Sequence, residues 1–282
     1  MRLIRFGEKG SEKPGVLIGE GIADLTTVFP GIPDISPVFF SDGWIGKISE
    51  KKLQTPLISA KDVRLGPPLT GIQKIICLGK NYAEHAKEGG FDVPEKPILF
   101  NKTLNTLNGP YDPIDMPESD EKVDWEVELA VVIGKKAKRV SKSEAESCIA
   151  GFTIMNDVSG RGAQFGDSQW YRGKSFDTFA PMGPCIVTID EMGGLSGAIG
   201  LKVQSFVDGE EMQSGNTNDL IFDIPFLIEY ISRDITLFPG DVISTGTPSG
   251  VGIFRKPPVV LRKGQTVECR IEKIGFIKNI CA

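Results

Sequence analysis

Short apolar segments, each closed by glycine or proline, recur along most of this chain and leave little room for long helices. IICLG (75–79), PILF (97–100), GFTIMNDV (151–158), GPCIVTI (183–189), LKVQSFVDGE (201–210), DVISTG (241–246) and QTVECRIEKIG (265–275) are all of this kind. Runs of four to eight residues bounded by turn formers read as strands. Glycine supplies 33 of 282 residues, about 12 % against a usual ~7 %, so turns are plentiful. The pattern predicts a mainly β, α+β chain. Two helices are predicted, over SKSEAESCIA (141–150), with a serine start and an acid three residues later, and over NDLIFDIPFLIEYISR (218–233), where Pro225 belongs in the first turns or kinks the helix.

Residues 1–70 are more loosely patterned, with strand-like MRLIRF, GVLIG and GIADL, one short helix and much turn. Pro67 and Pro68 mark a boundary. The reading is a small N-terminal domain, 1–70, and a larger domain, 71–282, which is long enough to bury a core without staples.

Composition removes several function classes. A net charge of −5 and the lack of a basic run argue against nucleic acid and membrane-surface partners. No run approaches the ~18 apolar residues of a membrane span. The five cysteines are scattered and form no C-x-x-C pair, which fits a reducing compartment better than a disulfide framework or zinc site. With no apolar signal segment near Met1, the expected location is cytoplasmic. His85 is the single histidine, so metal sites built on two histidines are excluded.

The segment VDWEVELAVVIG (123–134) carries the most chemistry. With strand period two, Asp124, Glu126 and Glu128 share one face, and the strand then runs into an interior apolar on both faces. Carboxylates entering such an interior need compensation, and a hard divalent cation with oxygen ligands supplies it. Asp157, ending an apolar strand, offers a third oxygen. The plainer alternatives are a solvated acidic strand face and an Asx-turn at Asp157.

In KNYAEHAKEGG (80–90), His85 and Glu88 stand at i, i+3 on one short helix that Gly89 and Gly90 end. A glutamate bonded to one imidazole nitrogen fixes the tautomer and frees the other nitrogen as a base. The alternative is an ordinary surface pair. Arg161, Gln164 and Lys174 lie in a polar segment between apolar strands and suit an anionic, oxygen-rich substrate, although each residue type alone is more often a surface ion-pair former. GDVISTGTPSGVG (240–252) is a Gly/Thr loop able to hold a carboxylate, or a plain turn; it lacks the lysine of a P-loop.

In order, IICLGKNYAEHAKEGG, KPILFNKTLNTLNGP, VDWEVELAVVIGK, AGFTIMNDVSGRGAQ, GKSFDTFAPMGP and PGDVISTGTPSGVG resemble the fumarylacetoacetate hydrolase family across residues 71–282. The resemblance implies a mixed β-roll catalytic domain behind a small N-terminal domain, a homodimer, and a bound Mg2+, with Mn2+ or Ca2+ as substitutes. It puts the metal on Glu126, Glu128 and Asp157, a water-activating dyad on His85 and Glu88, and a catalytic lysine at Lys174. Arg161, Gln164 and Thr247 match its substrate-contacting positions. Two departures stand out: Gly160 and Gly162 replace the Ala and Asp of many members, and Lys80 stands where a neutral residue is common.

The overall length, PEKPILFNK and DWEVEL are most similar to bacterial members acting on 2,4-diketo-3-deoxy sugar acids, a group often labelled ureidoglycolate lyase. The expected activity is therefore hydrolysis of a C–C bond in a 2,4-diketo acid, such as an acylpyruvate, to pyruvate and a carboxylic acid. The alternatives are a decarboxylase, lyase or isomerase acting on oxaloacetate, ureidoglycolate or a diene-dioate, and a non-catalytic keto-acid binder.

Overall fold

The computed structural model describes residues 1–51, 53 and 55–282. A mixed twelve-stranded sheet forms its backbone, and the fold is α+β with few helices, as predicted. From one edge the sheet runs Leu57–Ser59, Gly21–Asp24, Lys13–Ile18, Arg2–Phe6, Ala180–Thr188. It continues through Ile149–Asn156, Val127–Ile133, Val242–Ser244 and Ile75–Gly79 to the edge strand Ile98–Lys102. Along this path only Val242–Ser244 and Ile75–Gly79 are parallel. The segment 1–70 thus adds its strands to the sheet that carries the rest of the chain, through Leu3 opposite Ile186.

Strand Val127–Ile133 lies near the middle and is buried at every residue, which accounts for its unbroken apolar run after Glu128. Alternation sends Val127, Leu129, Val131 and Ile133 to one face. There they meet Val203, Cys269 and Ile277 of a four-stranded antiparallel sheet, and Leu227 and Ile231 of helix Ile224–Asp234. Ala130 and Val132 face the other way, against Phe39, Phe40 and Ile48 of two short helices, Pro37–Ser41 and Trp44–Ser49. Glu126 and Glu128 precede Ala130 in that same alternating row.

The helices differ from expectation at their ends. Ser141 and Glu144 do form a capping box, but the capped element is a 3₁₀ helix, Lys142–Cys148, and Ile149 and Ala150 already belong to the next strand. Seven residues are too few to offset the pull of sheet pairing on that β-branched start. The second helix begins at Ile224 rather than at 218, because the Asp223 carboxylate accepts from Phe226 N and Pro225 occupies the first turn.

Candidate active site

Three carboxylates meet where two antiparallel strands end. Val127 is paired with Asn156, and Asp157 N donates to Glu126 O at 2.8 Å, so Asp157 lies directly across from Glu126. Glu128 is two residues along on the same face. The three side chains are buried, and one oxygen from each lies within 4.8 Å of the others. Asp124 does not join them. The strand is interrupted after Asp124, fully buried Trp125 turns into a separate core with Val123, Val158 and Phe179, and Asp124 is redirected. Its carboxylate accepts from Arg161 Nε, Trp125 N, Gly252 N and Ile253 N at 2.7–3.0 Å.

Cations crowd the triad from one side. Lys174 Nζ donates to Glu126 Oε2 at 2.6 Å and to Asp157 Oδ2 at 2.7 Å. Lys102 Nζ, fully buried, donates to Asp157 Oδ1 at 2.7 Å and to Val158 O at 3.0 Å. Arg161 Nη2 forms ion pairs with Asp124 and, at 2.7 Å, with Glu126 Oε1, out of hydrogen-bond alignment. Burial alone pushes the Glu126 carboxyl up, but Lys174 and Arg161 hold it well below the usual range. Burial opposes the Lys174 ammonium too, yet Asp157 and Glu126 keep its proton affinity above normal. Lys102 is held below its ordinary value by burial, against the pull of Asp157.

Glu128 is the exception. Among the described residues no Lys, Arg or His nitrogen lies within 4.0 Å of its carboxylate. Its Oε2 takes the Ser244 hydroxyl and Gly246 N, while burial and the charges of Asp157 and Glu126 push its carboxyl well above the carboxylate range. A buried carboxylate beside two others, without a cation of its own, fits a hard divalent ion in both charge and donor type.

His85 and Glu88 lie on the short helix Ala83–Glu88, and the imidazole Nδ1 is 2.8 Å from Glu88 Oε1. Glu88 is itself anchored, since Gly250 N donates to its Oε2 at 2.8 Å. Gly250 has φ +104°, and a Cβ there would stand 2.2 Å from Met212 O; only glycine lets the loop come this close. The remaining imidazole nitrogen, Nε2, is available to the cleft that His85 lines with Glu126, Glu128, Arg161 and Lys174. The cleft has a free volume of about 40 Å³ and an aromatic wall of Phe91, Phe100, Phe165, Trp170 and Phe254.

Of the nine residues predicted from sequence, seven line the cleft directly: His85, Glu126, Glu128, Arg161, Gln164, Lys174 and Thr247. Glu88 and Asp157 stand immediately behind, on His85 and on the lysines. Arg161 Nη1 donates to Gln164 Oε1 at 2.8 Å, which leaves the Gln164 amide NH2 as its free end. The Thr247 hydroxyl donates to Val127 O and accepts from Gln213 Nε2, so its proton is already engaged. Gly160 and Gly162 have a local reason. Asp120 accepts from Gly162 N and Ala163 N, and a Cβ on either glycine would come within 2.9 Å of its carboxylate. A carboxylate from outside the SGRGAQ motif therefore occupies that corner.

Sequence reasoning missed Lys102, Gln213, Asp120 and the aromatic wall. The signal for Lys102 was present: a lysine closing an apolar strand, ILFNK, cannot stay buried without a carboxylate.

A family model described as Fumarylacetoacetate (FAA) hydrolase C-terminal matches residues 74–281. The chain is 44 % identical, over 99 % of its length and 91 % of the relative's, to oxaloacetate tautomerase Fahd2a, mitochondrial, of Rattus norvegicus. It superposes on the crystal structure of 2-hydroxyhepta-2,4-diene-1,7-dioate isomerase from Mycobacterium marinum with a TM-score of 0.79 and 33 % identity, covering 100 % of this chain and 98 % of that one. A fumarylacetoacetate hydrolase from Exiguobacterium antarcticum gives a TM-score of 0.82 and 34 % identity, covering 100 % and 99 %. The tautomerase and isomerase names among relatives that match along the whole chain move the reading away from the sugar-acid and ureidoglycolate lyase subgroup. Among the described residues no helix is long and apolar enough to cross a membrane.

Proposed function

Because the chain belongs to the fumarylacetoacetate hydrolase family, we propose that it is a divalent-metal-dependent enzyme interconverting the keto and enol forms of a small 2-oxo dicarboxylate of the oxaloacetate class. The observation that carries this reading is the buried triad Glu126, Glu128 and Asp157, set in one cleft with a lysine ammonium and an oriented histidine. The tautomerase name of a relative 44 % identical along 99 % of the chain favours this reaction over hydrolysis.

Glu126, Glu128 and Asp157 would hold the cation, magnesium by preference for oxygen ligands; bound there, it supplies Lewis-acid polarisation of the 2-oxo group. Glu88 keeps the proton on His85 Nδ1, and Nε2 takes the C3 proton of the keto form. A proton delivered to the C2 oxygen from the resulting imidazolium or from solvent completes the enol, and the reverse reaction retraces both transfers. Lys174 has three N–H donors, of which two are committed to Glu126 and Asp157. The third is available to the oxygen on which negative charge develops. Phe254 lines the cleft beside the imidazole, with its ring centroid 6.0 Å from that of His85. The five free, buried thiols fit a reducing compartment, and the cytoplasm remains our reading.

A second reading, hydrolysis of a C–C bond in a 2,4-diketo acid, uses the same dyad with Nε2 taking its proton from water. Its favouring observation is the likeness, at 34 % identity over the whole chain, to the fumarylacetoacetate hydrolase of Exiguobacterium antarcticum. One pair of assays separates them. With magnesium-loaded protein, oxaloacetate enol absorbance is expected to relax faster while total oxaloacetate is conserved, and EDTA should abolish the acceleration. Stoichiometric pyruvate from acetylpyruvate, without effect on the oxaloacetate enol, would overturn the tautomerase in favour of the hydrolase.

A further inference from the structure

Among the described residues three lysine or arginine side chains line the cleft, and two are already committed. Arg161 is paired with Asp124 and Glu126, and Lys174 with Glu126 and Asp157. Lys80 is the third. Among the described residues no carboxylate oxygen lies within 4.0 Å of its Nζ; the ammonium instead rests 3.5 Å from the centroid of the Phe91 ring. A cation on an aromatic face is stabilised only modestly, and it exchanges that contact readily for a carboxylate.

The backbone around Lys80 is built to hold it there. Strand Ile75–Gly79 ends and Lys80 takes φ +56°, a conformation that costs a non-glycine residue energy and persists only when its surroundings impose it. On one side, Asn81 Nδ2 donates to Thr245 O and Phe222 O, and its Oδ1 accepts from Phe222 N. On the other, the Trp170 ring packs so closely on Gly79 that a Cβ there would stand 2.7 Å from it. Lys80 is half-buried beside Phe91, which is 40 % exposed, so it marks the rim of the cleft, whereas Glu126 and Glu128 line it as buried residues.

We propose that Lys80 is a specificity-determining residue that selects substrates bearing a second carboxylate beyond the 2-oxo acid end. The inference rests on the reading of the cleft as a 2-oxo acid site. It deepens that reading by assigning the distal anion a partner. Lys80 binds a part of the substrate remote from bond making, so its contribution falls on affinity rather than on the proton transfer.

The test is calorimetric titration of magnesium-loaded wild type, Lys80→Met, Lys80→Gln and Lys80→Arg with two inert ligands. N-Oxalylglycine carries the distal carboxylate; N-methyloxamate has the same 2-oxo acid end without it. Wild type is expected to prefer the dianion by about tenfold or more, the worth of one charge-assisted contact. The neutral variants should lose that preference with the monoanion affinity unchanged, and Lys80→Arg should keep it. A dianion preference that survives in the neutral variants overturns the assignment, as does equal weakening of both ligands. Wild type that binds neither ligand sinks the 2-oxo acid reading itself, which is a different result from binding that ignores Lys80.

Discussion

Glu12 and Glu128 are both carboxylates almost out of contact with water, at 5 % side-chain and 1 % residue exposure, and they answer burial in opposite ways. Glu12 lies between Arg5 at 3.2 Å and Arg64 at 2.8 Å, and these guanidiniums also hold Asp34 and Asp112. Burial pushes the Glu12 carboxyl up, but Arg64 and Arg5 bring it below its usual value. Glu128 has two neutral donors and, among the described residues, no cation within 4.0 Å, and its carboxyl is driven far up. The first cluster ties the strands Arg2–Phe6 and Leu65–Gly66 to the loop at Asp112 and needs nothing further. The second is one cation short. A planar guanidinium fork saturates a carboxylate; Glu12 has two guanidiniums in reach, whereas Glu128 has none and leaves a coordination site open.

Breaking each cluster should therefore give different kinds of damage. At the site, Glu126→Gln is expected to lower magnesium affinity by at least the ~100-fold that accompanies loss of even an outer-shell partner, with activity lost alongside. His85→Ala should lower turnover about a hundred- to ten-thousandfold and leave magnesium affinity, read by calorimetry, unchanged. Metal binding that survives Glu126→Gln would contradict the ligand assignment. At the N-terminal cluster, Glu12→Gln leaves two partly buried guanidiniums undercompensated and should cost about 2–3 kcal/mol of stability in urea unfolding, with kcat retained. Full stability in that variant would show that the arginines find other partners.

Two smaller effects sharpen the contrast. Saturating magnesium should raise the melting temperature of the chelated protein, by a stabilisation of about 2.7 kcal/mol at a hundredfold excess over Kd, and Glu12→Gln should show the same increment. The pH response should separate the clusters in the other direction. The folded-state value of Glu12 is depressed, so its contribution is fully present above the unfolded carboxylate value of about 4.3 and is lost as pH falls through the folded value. The stability gap between wild type and Glu12→Gln should accordingly close in acid. A gap constant down to the acid transition would remove Glu12 from the pairing described.

Much of the site was legible because its residues announce a cost. Glu126 and Glu128 precede an apolar run, Asp157 ends one, and buried carboxylates need a counter-charge wherever the chain goes. Strand alternation places Glu126 and Glu128 together, and the same rule fails for Asp124, since a break at Trp125 lies outside what alternation encodes. That break comes from the burial of a large indole in a separate core. The His85–Glu88 pair was readable because helix spacing is local. Lys102 was passed over, although a buried lysine is as costly as a buried glutamate, because its partner Asp157 lies 55 residues away.

By itself the sequence determined what short-range physics controls: the β-rich class, the strand periods, the capped turns and the identity of the groups that needed compensation. Tertiary structure alone decided which compensation each received. Sheet register set Asp157 opposite Glu126, the Gly250 loop found Glu88 from 162 residues away, and Asp120 filled the corner left by Gly160 and Gly162. Among the described residues it also left Lys80 without a carboxylate in ion-pair range, with Asp92 acting only from farther off, while Lys174 and Arg161 took theirs. Pairing among distant charges depends on distances that only the folded chain sets, and an electrostatic interaction that weakens with every ångström cannot be read from spacing along a strand.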